Sequence, residues 1–401
     1  MKTKYGITLT TCLILLSFTC AIQNKPPKEK TEQTTFIKYI GDTGINRGVT
    51  VEEINDGGFI LTGYTTEGSY GQEDVFLIKT NARGEILWKK TYGGQGSDNG
   101  WAVRQTDDKG FIIAGYTNSF GNGAMDIYLL KTDAKGDTLW TKTFGGPGEE
   151  FGWDVRITKD KGFIIAAQTN SEGNGEIDAY LIKVDKDGNE EWSQTYGGEK
   201  TDRIFSVQQT PDGGYAAAGI TYSYTSINPN DRDGYLLKTD ASGQQEWHKT
   251  FGKDAYDVGH AIALTDDGGL FITGYGESFA TAGHRDVYLI KTDAKGENQW
   301  MTVHGGTGEE RGIKGHQTRD GGYIAIGFTS QNRDVYLIKT NNTGDVVWTR
   351  NYGTPDKMDF GYTVRETNDG GFILTGHSEP FSREKSDVLL IKTDSEGLVN
   401  Q

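Results

Sequence analysis

The chain has 401 residues, with 41 Lys and Arg against 56 Asp and Glu, a net charge of −15 and 34% hydrophobic residues. So acidic a body argues against a nucleic-acid binder and against electrostatic attachment to anionic lipid headgroups. Its 57 glycines and 7 prolines fall below the share that marks low-complexity disorder, and they recur at fixed places, so they read as turn residues.

At the N-terminus Lys2 and Lys4 precede an apolar stretch from Ile7 to Phe18. That stretch is too short to cross a bilayer of ~30 Å as a helix and has the shape of a secretory signal. Leu15-Leu16-Ser17-Phe18-Thr19-Cys20 resembles a relaxed bacterial lipobox, departing from it at Ser17, where Leu is usual, and at the bulky Phe18. The resemblance implies a signal peptide over residues 1–19 and lipidation of Cys20. A flexible tether over 20–34 follows, since 21–33 lack apolar periodicity. The cysteines are Cys12 and Cys20, so the domain after the tether has no thiol for a disulfide, a metal or nucleophilic catalysis. Without Lys2 and Lys4 its charge becomes −17. Membrane attachment is therefore expected through the acyl chains alone.

From residue 35 onward one phrase returns seven times: Asp, an apolar run ending in Lys, a polar turn, then an aromatic residue. It starts at Asp74, Asp126, Asp178, Asp233, Asp286, Asp334 and Asp387, with spacings of 52, 52, 55, 53, 48 and 53 residues. The second unit reads as strands over 100–106, 111–116, 126–132 and 138–144, separated by Asp/Asn/Gly turns, with no helical periodicity. A period of about fifty residues with four strands per period predicts an all-β radial array. In six copies a tryptophan stands 14 residues after the aspartate: Trp88, Trp140, Trp192, Trp247, Trp300 and Trp348. In the seventh that position falls on Gln401. The matching strand is instead Phe36-Ile37-Lys38-Tyr39-Ile40-Gly41, with Phe36 in the tryptophan slot. A seven-bladed β-propeller of four-stranded antiparallel blades over 35–401, closed by its N-terminal strand, is the expected fold.

The phrases Asp212-Gly213-Gly214-Tyr215 and Asp286-Val287-Tyr288-Leu289-Ile290-Lys291-Thr292-Asp293 resemble those of a family of repeat propellers in secreted and surface proteins of bacteria and archaea. The resemblance covers 35–401 and implies the architecture without an activity. A looser likeness, through the Gly136 to Trp140 hairpin, is to quinone-dependent dehydrogenase and outer-membrane-assembly propellers. None of the quinone or calcium ligands of those dehydrogenases is seen.

Two constellations are candidates for function. The spacing from each Asp-Gly-Gly turn to the next phrase is 16, 16, 16, 19, 17, 12 and 16 residues, whereas the preceding interval is 12 in every copy. One face of the disk is therefore variable, and variable loops on a rigid scaffold commonly carry binding. Tyr222 and Tyr224, read as lying in the insertion of about three residues that makes the fourth loop the longest, with Phe279 and His284 in the fifth, are expected there as ligand-binding residues. The alternative is that these aromatics cover blade tops.

The second constellation is a ring with Asn46, Asp98, Glu150, Asp202, Asp257, Glu310 and Asp359, beside Trp101, Trp153, Phe205, His260 and Tyr362. Trp101, Trp153 and Tyr362 are candidate ligand contacts. The acids could hold Ca²⁺, but recurrence once per blade favours a structural role, each carboxylate capping its own turn. The seven phrase lysines and aspartates are read as architecture for the same reason. The six histidines show no metal spacing, and no nucleophile elbow, phosphate loop or zincin motif is present, so no catalytic residue and no metal site is assigned.

The expected function is a monomeric binding or scaffold module, lipid-anchored in a bacterial envelope at the outer membrane, that recognises a glycan, a peptide or an envelope protein and needs no cofactor. The alternative is a carbohydrate-active hydrolase or lyase using carboxylates on the variable face. Replacing Cys20 by Ala is expected to move the protein into soluble fractions, because the acyl chains would supply its membrane affinity. Fractionation with labelled fatty acid checks this; unchanged membrane retention of the variant and no label on the parent would refute it.

Overall fold

The computed structural model describes residue 1 and residues 34–225, 231–280, 284–330 and 333–400. Cys20 and the lipobox lie outside the described residues, as do parts of the variable loops of blades 4, 5 and 6.

Seven four-stranded antiparallel sheets follow one another as the blades of a β-propeller. Blade 2 shows the pattern, with strands Asp98–Gln105, Phe111–Thr117, Asp126–Thr132 and Thr138–Phe144 running from the axis outwards. The first of these begins two residues before the expected start. Backbone pairing explains the extension, since the Asp98 amide donates to the Glu73 carbonyl of blade 1 at 2.6 Å. Burial follows position in the sheet. The second and third strands are apolar and buried on both faces, whereas the fourth alternates, as an outer strand with one solvated face must.

The ring closes where the sequence placed the closure. Strand Phe36–Ile40 pairs with Asp387–Thr393, and Phe36 stands opposite Lys392 as Trp88 stands opposite Lys79. Each fourth-strand aromatic packs on the second strand of the next blade: Trp88 on Phe111 at 6.1 Å, Trp348 on Phe372 at 6.0 Å and Phe36 on Phe59 at 6.3 Å between ring centroids. Fourth-strand tyrosines add a polar link. The Tyr92 hydroxyl donates to the Gly136 carbonyl at 2.6 Å, and Tyr196 and Tyr352 do the same one blade on. Glycine is required at that turn, because φ is +78° at Gly136 and a Cβ there would sit 3.0 Å from the Trp88 ring.

The sevenfold polar residues all act locally. Every phrase lysine reaches the first aspartate of the Asp-Gly-Gly turn, or its equivalent, at 2.6–3.0 Å. Phrase aspartates cap the preceding loop, as Asp126 does by accepting from the Gly123 amide at 2.9 Å. The acids once placed around the central opening are turned into the blades. Asp98, Glu150, Asp202, Asp257 and Asp359 are 0% exposed and Glu310 6%. Asp98 accepts from the Gly94 amide at 2.8 Å, Glu150 from Gly146 at 2.9 Å, Asp202 from Gly198 at 2.8 Å, Glu310 from Gly306 at 2.8 Å and Asp359 from Thr354 at 3.0 Å. The arrangement is one carboxylate per turn rather than a shared cation shell. Among the described residues no group of three or more His, Cys, Asp or Glu side chains gathers as metal ligands would.

Two stability predictions follow. Truncating Phe36 to Ala removes the aromatic that seats the closing strand, with an expected loss of about 1–3 kcal/mol for this half-buried ring. Deleting residues 35–41 also exposes the edge of Asp387–Thr393 and is expected to cause aggregation. Thermal melting with size-exclusion chromatography checks both, and a deletion that melts within a degree of the parent as a monomer would refute the closure. The second prediction concerns Asp257, whose pKa is raised to about 7 by burial and by Asp233 and Asp231, against the stabilising bond from the Ser278 hydroxyl. A carboxyl whose folded pKa exceeds its unfolded value favours the fold at low pH and loses that contribution as pH rises through about 7. Asp257→Asn is expected to flatten the fall in melting temperature between pH 5 and pH 8, by the equivalent of about 1–3 kcal/mol. An unchanged slope would refute it.

Candidate binding site at the central channel

The innermost strands of the seven blades stand side by side around the axis, the first beside the last. Each carries one residue more than its neighbour can pair. In blade 2 the register shifts between Gly100 and Ala102, leaving Trp101 outside the ladder. The same shift occurs at Gly48/Thr50, Gly152/Asp154, Ile204/Ser206, Gly259/Ala261, Gly312/Lys314 and Gly361/Thr363. A bulge re-aims the extra side chain, and here all seven are aimed at the axis. Small residues precede most bulges because the blades meet there: a Cβ on Gly100 would lie 2.7 Å from the Thr62 hydroxyl of blade 1.

The seven bulge residues, Val49, Trp101, Trp153, Phe205, His260, Ile313 and Tyr362, line a cavity of about 250 Å³ together with Lys314. Four consecutive blades form a continuous aromatic wall. Trp101 meets Trp153 edge-on at 4.7 Å, Trp153 meets Phe205 at 6.0 Å, and Phe205 stacks on His260 at 5.4 Å. Tyr362 stacks on His377, which also stacks on Phe360. The wall is preorganised by these ring contacts, which favour edge-to-face and offset geometries.

Beneath the aromatic layer lies a charged one. Arg104 reaches Glu52 at 3.1 Å and Asp154 at 2.8 Å, and Arg156 also reaches Asp154 at 3.1 Å. The Ser206 hydroxyl donates to Asp154 at 3.2 Å. Burial alone would raise the Asp154 carboxyl, but Arg156, Arg104 and Lys314 hold it near 2. Lys314 stands in the opposite condition. Desolvation, with Arg104, Arg365 and Arg156 nearby, brings its pKa down to about 7 despite the attraction of Asp154. Burial likewise lowers His260 to about 4 and His316 to about 3, so both imidazoles are neutral at physiological pH.

The mouth above the cup faces the variable loops. Its rim comes from the second position of each innermost strand and the residue paired with it: Arg47 with Tyr64, Asn99 with Tyr116, Arg203 with Ile220, Arg311 with Phe328. Arg47 gives a hydrogen bond to the Tyr64 hydroxyl at 3.1 Å and pairs with Glu379 at 3.0 Å. Arg311 lies over the rings of Tyr275 and Phe328. Neither of these positions carries one residue in all seven blades, although arginine recurs at 47, 203 and 311.

Trp101, Trp153 and Tyr362 thus come together in one cup, and the structure adds Lys314, which the sequence reading did not single out. The expectation for the loop aromatics needs correction. Tyr222 and Tyr224 do not stand in the insertion of the longest loop; they hold positions common to other blades. The Tyr222 amide donates to Thr201 as that of Asn118 does to Ser97, and the Tyr224 amide donates to Thr221 as that of Phe120 does to Thr117. The extra residues of that loop therefore come after Tyr224. Tyr224 packs on Tyr235 at 6.0 Å and His248 at 4.3 Å and donates to the Gly197 carbonyl at 2.8 Å, so it belongs to the blade's own packing. Phe279 packs on Tyr288 in the same way. Tyr222 lines a separate cleft of about 450 Å³ with Arg203 and Arg232, and His284 is exposed.

No family profile matches this chain. The regulatory protein FlaEY of Caulobacter vibrioides is 23% identical over 162 residues, which cover 34% of this chain and 17% of that protein. The chain therefore spans about a sixth of the length of the curated relative it matches. Among solved structures, polysaccharide lyase Uly1 superposes with a TM-score of 0.55 at 12% identity, over 87% of this chain and 90% of that one. The WD40 domain of Neurospora crassa Pan2 gives 0.53 at 11% identity, over 92% and 98%. At these identities the likeness is one of fold, and it extends over nearly the whole propeller.

Proposed function

We propose that this chain is a binding propeller of a bacterial cell envelope, held there by a lipid on Cys20, which captures a glycan or peptide at the mouth and cup of its central channel. The observation that carries this reading is the distribution of non-repeating residues. Positions that recur seven times bind their own turns, whereas the bulge and rim positions carry no residue common to all seven blades and converge on one opening. There they gather four large aromatic rings and several arginines around a preformed concavity, the usual character of a ligand site. Arginines over aromatic rings and tryptophans with exposed faces suit sugar rings and peptide side chains. The second reading is a carbohydrate-active hydrolase or lyase using carboxylates on the variable face; in the channel itself Glu52 and Asp154 are both tied to arginine.

The test is capture on glycan and peptide arrays by Trp101→Ala and Trp153→Ala, with Lys135→Ala and Asp187→Ala on the opposite face as controls. Each aromatic anchor is expected to contribute about 1–2 kcal/mol, so the tryptophan variants should bind roughly tenfold more weakly and the controls within twofold of the parent. Equal loss from both faces, or loss that tracks the melting curve, would refute the reading.

A further inference from the structure

The charge layer below the cup is unbalanced. Four cations, Arg104, Arg156, Arg365 and Lys314, face two carboxylates, Glu52 and Asp154, along the channel of a protein whose net charge is −15. The carboxylates are already engaged: Asp154 by Arg104 and Arg156, and Glu52 by Arg104. Arg365 gives a hydrogen bond to its neighbour's carbonyl, Val364, at 3.2 Å. Among the described residues Lys314 has neither a hydrogen bond nor a carboxylate within ion-pair distance, and it is the one charged side chain lining the cup. Cations removed from water are ordinarily paired, and Lys314 is half-buried. A half-buried lysine without a carboxylate partner in an apolar pocket, with three guanidiniums nearby, creates a positive potential that an incoming anion would offset.

We propose that the cup takes a small ring-bearing carboxylate, its ring against Trp101, Trp153 and Tyr362 and its carboxylate on the Lys314 ammonium. This rests on the reading of the cup as the binding site and names its ligand class. The shape of the site supports each half. Edge-to-face aromatic walls with Val49 and Ile313 offer flat apolar contact for one ring, and a volume of about 250 Å³ admits a single ring with its substituent. One lining ammonium matches one negative charge.

Two sources share this chemistry, an aromatic acid and the uronic acid end of a glycan, and the apolar walls favour the aromatic acid. Protonation supplies an independent handle. The groups facing Lys314 across the channel are Asp154, Arg104, Arg156 and Arg365, with the imidazoles of His260 and His316. From pH 5 to pH 8 both imidazoles are neutral and Asp154 is ionised, so among these groups the one that titrates in this window is Lys314. Its ammonium is present below about 7 and lost above it.

The experiment is titration of the whole protein with benzoate, benzyl alcohol and glucuronate, followed by tryptophan fluorescence and calorimetry at pH 6 and pH 8. Benzoate is expected to bind at least tenfold more tightly than the uncharged alcohol at pH 6, and to weaken severalfold at pH 8. Lys314→Met should bring benzoate down to the affinity of the alcohol. Lys314→Arg, which keeps its charge, should retain benzoate binding and abolish the pH dependence, and it covers the case in which the Met variant fails to fold. Glucuronate binding more tightly than benzoate would assign the carboxylate to a sugar and support the proposal from its second source. Equal affinity for benzoate and benzyl alcohol, or a Met variant that binds benzoate like the parent, overturns the anion inference while leaving the cup as a site. No binding of any of the three, with glycan and peptide capture still lost in Trp101→Ala, overturns the inference and keeps the wider reading; capture unaffected by Trp101→Ala overturns both.

Discussion

A four-stranded blade is apolar on both faces of its middle strands and cannot bury them alone. In this protein each blade is covered by the next, through a fourth-strand aromatic set against a second-strand aromatic or aliphatic residue. That chain of contacts has to return to its start, and the return depends on five residues, Phe36–Ile40, pairing with Asp387–Thr393. Without this pairing the seventh blade would carry an open edge and Phe59 would lose its cover. A link between Asn400 and Thr35, which brings the two ends of the propeller together at 2.9 Å, reinforces it.

Closure also creates the site. Once seven innermost strands are held parallel to one axis, a bulge at the same place in each directs seven side chains into one space. The repeat supplies the position, and departures from the repeat supply the chemistry. Val49 and Ile313 stand where Trp101 and Trp153 do, and Lys314 stands one residue further where blade 2 has Ala102. A scaffold of this kind separates two demands. Lys131 and its six equivalents, with the turn acids, satisfy buried polar backbone and are the same in every blade. The axis-facing residues have no structural duty common to all blades and are free to differ.

Electrostatics sets the character of the channel. The outer surface of the protein is acidic, yet its axis holds an excess of two cations. Desolvation acts on them unequally. Arg156 is held near 10 by burial and by Arg104, against the attraction of Asp154, and so keeps its charge, while Lys314 falls to about 7. Guanidinium is the better buried cation because its charge is delocalised and weakly hydrated. The lysine is thus the group in the channel whose charge responds to conditions near neutrality.

Much of the architecture was legible in the sequence, because a fifty-residue period with a recurrent Asp…Lys…Trp phrase repeats the same local decisions seven times. The strands, the turns and the pairing of Phe36 with the last blade follow from that repetition. Trp101, Trp153 and Tyr362 could be noticed because they sit beside a recurrent glycine. The error over Tyr222 and Tyr224 arose because loop length was counted without knowing where in the loop the extra residues fall; the hydrogen bonds to Thr201 and Thr221 place both tyrosines before the insertion. The acids of the ring cap their own turns, as their recurrence once per blade led one to expect, because a residue repeated in every blade makes the same local bond in each. Lys314 was invisible because spacing does not encode which side chains meet at the axis. Its blade, its neighbours Asp154 and Arg104, and its lack of a partner lie far apart along the chain and meet through closure alone. The sequence by itself determined the blade and its number, since those rest on local pattern; the tertiary structure decided what faces the axis, because only the closed ring brings seven distant residues to one point.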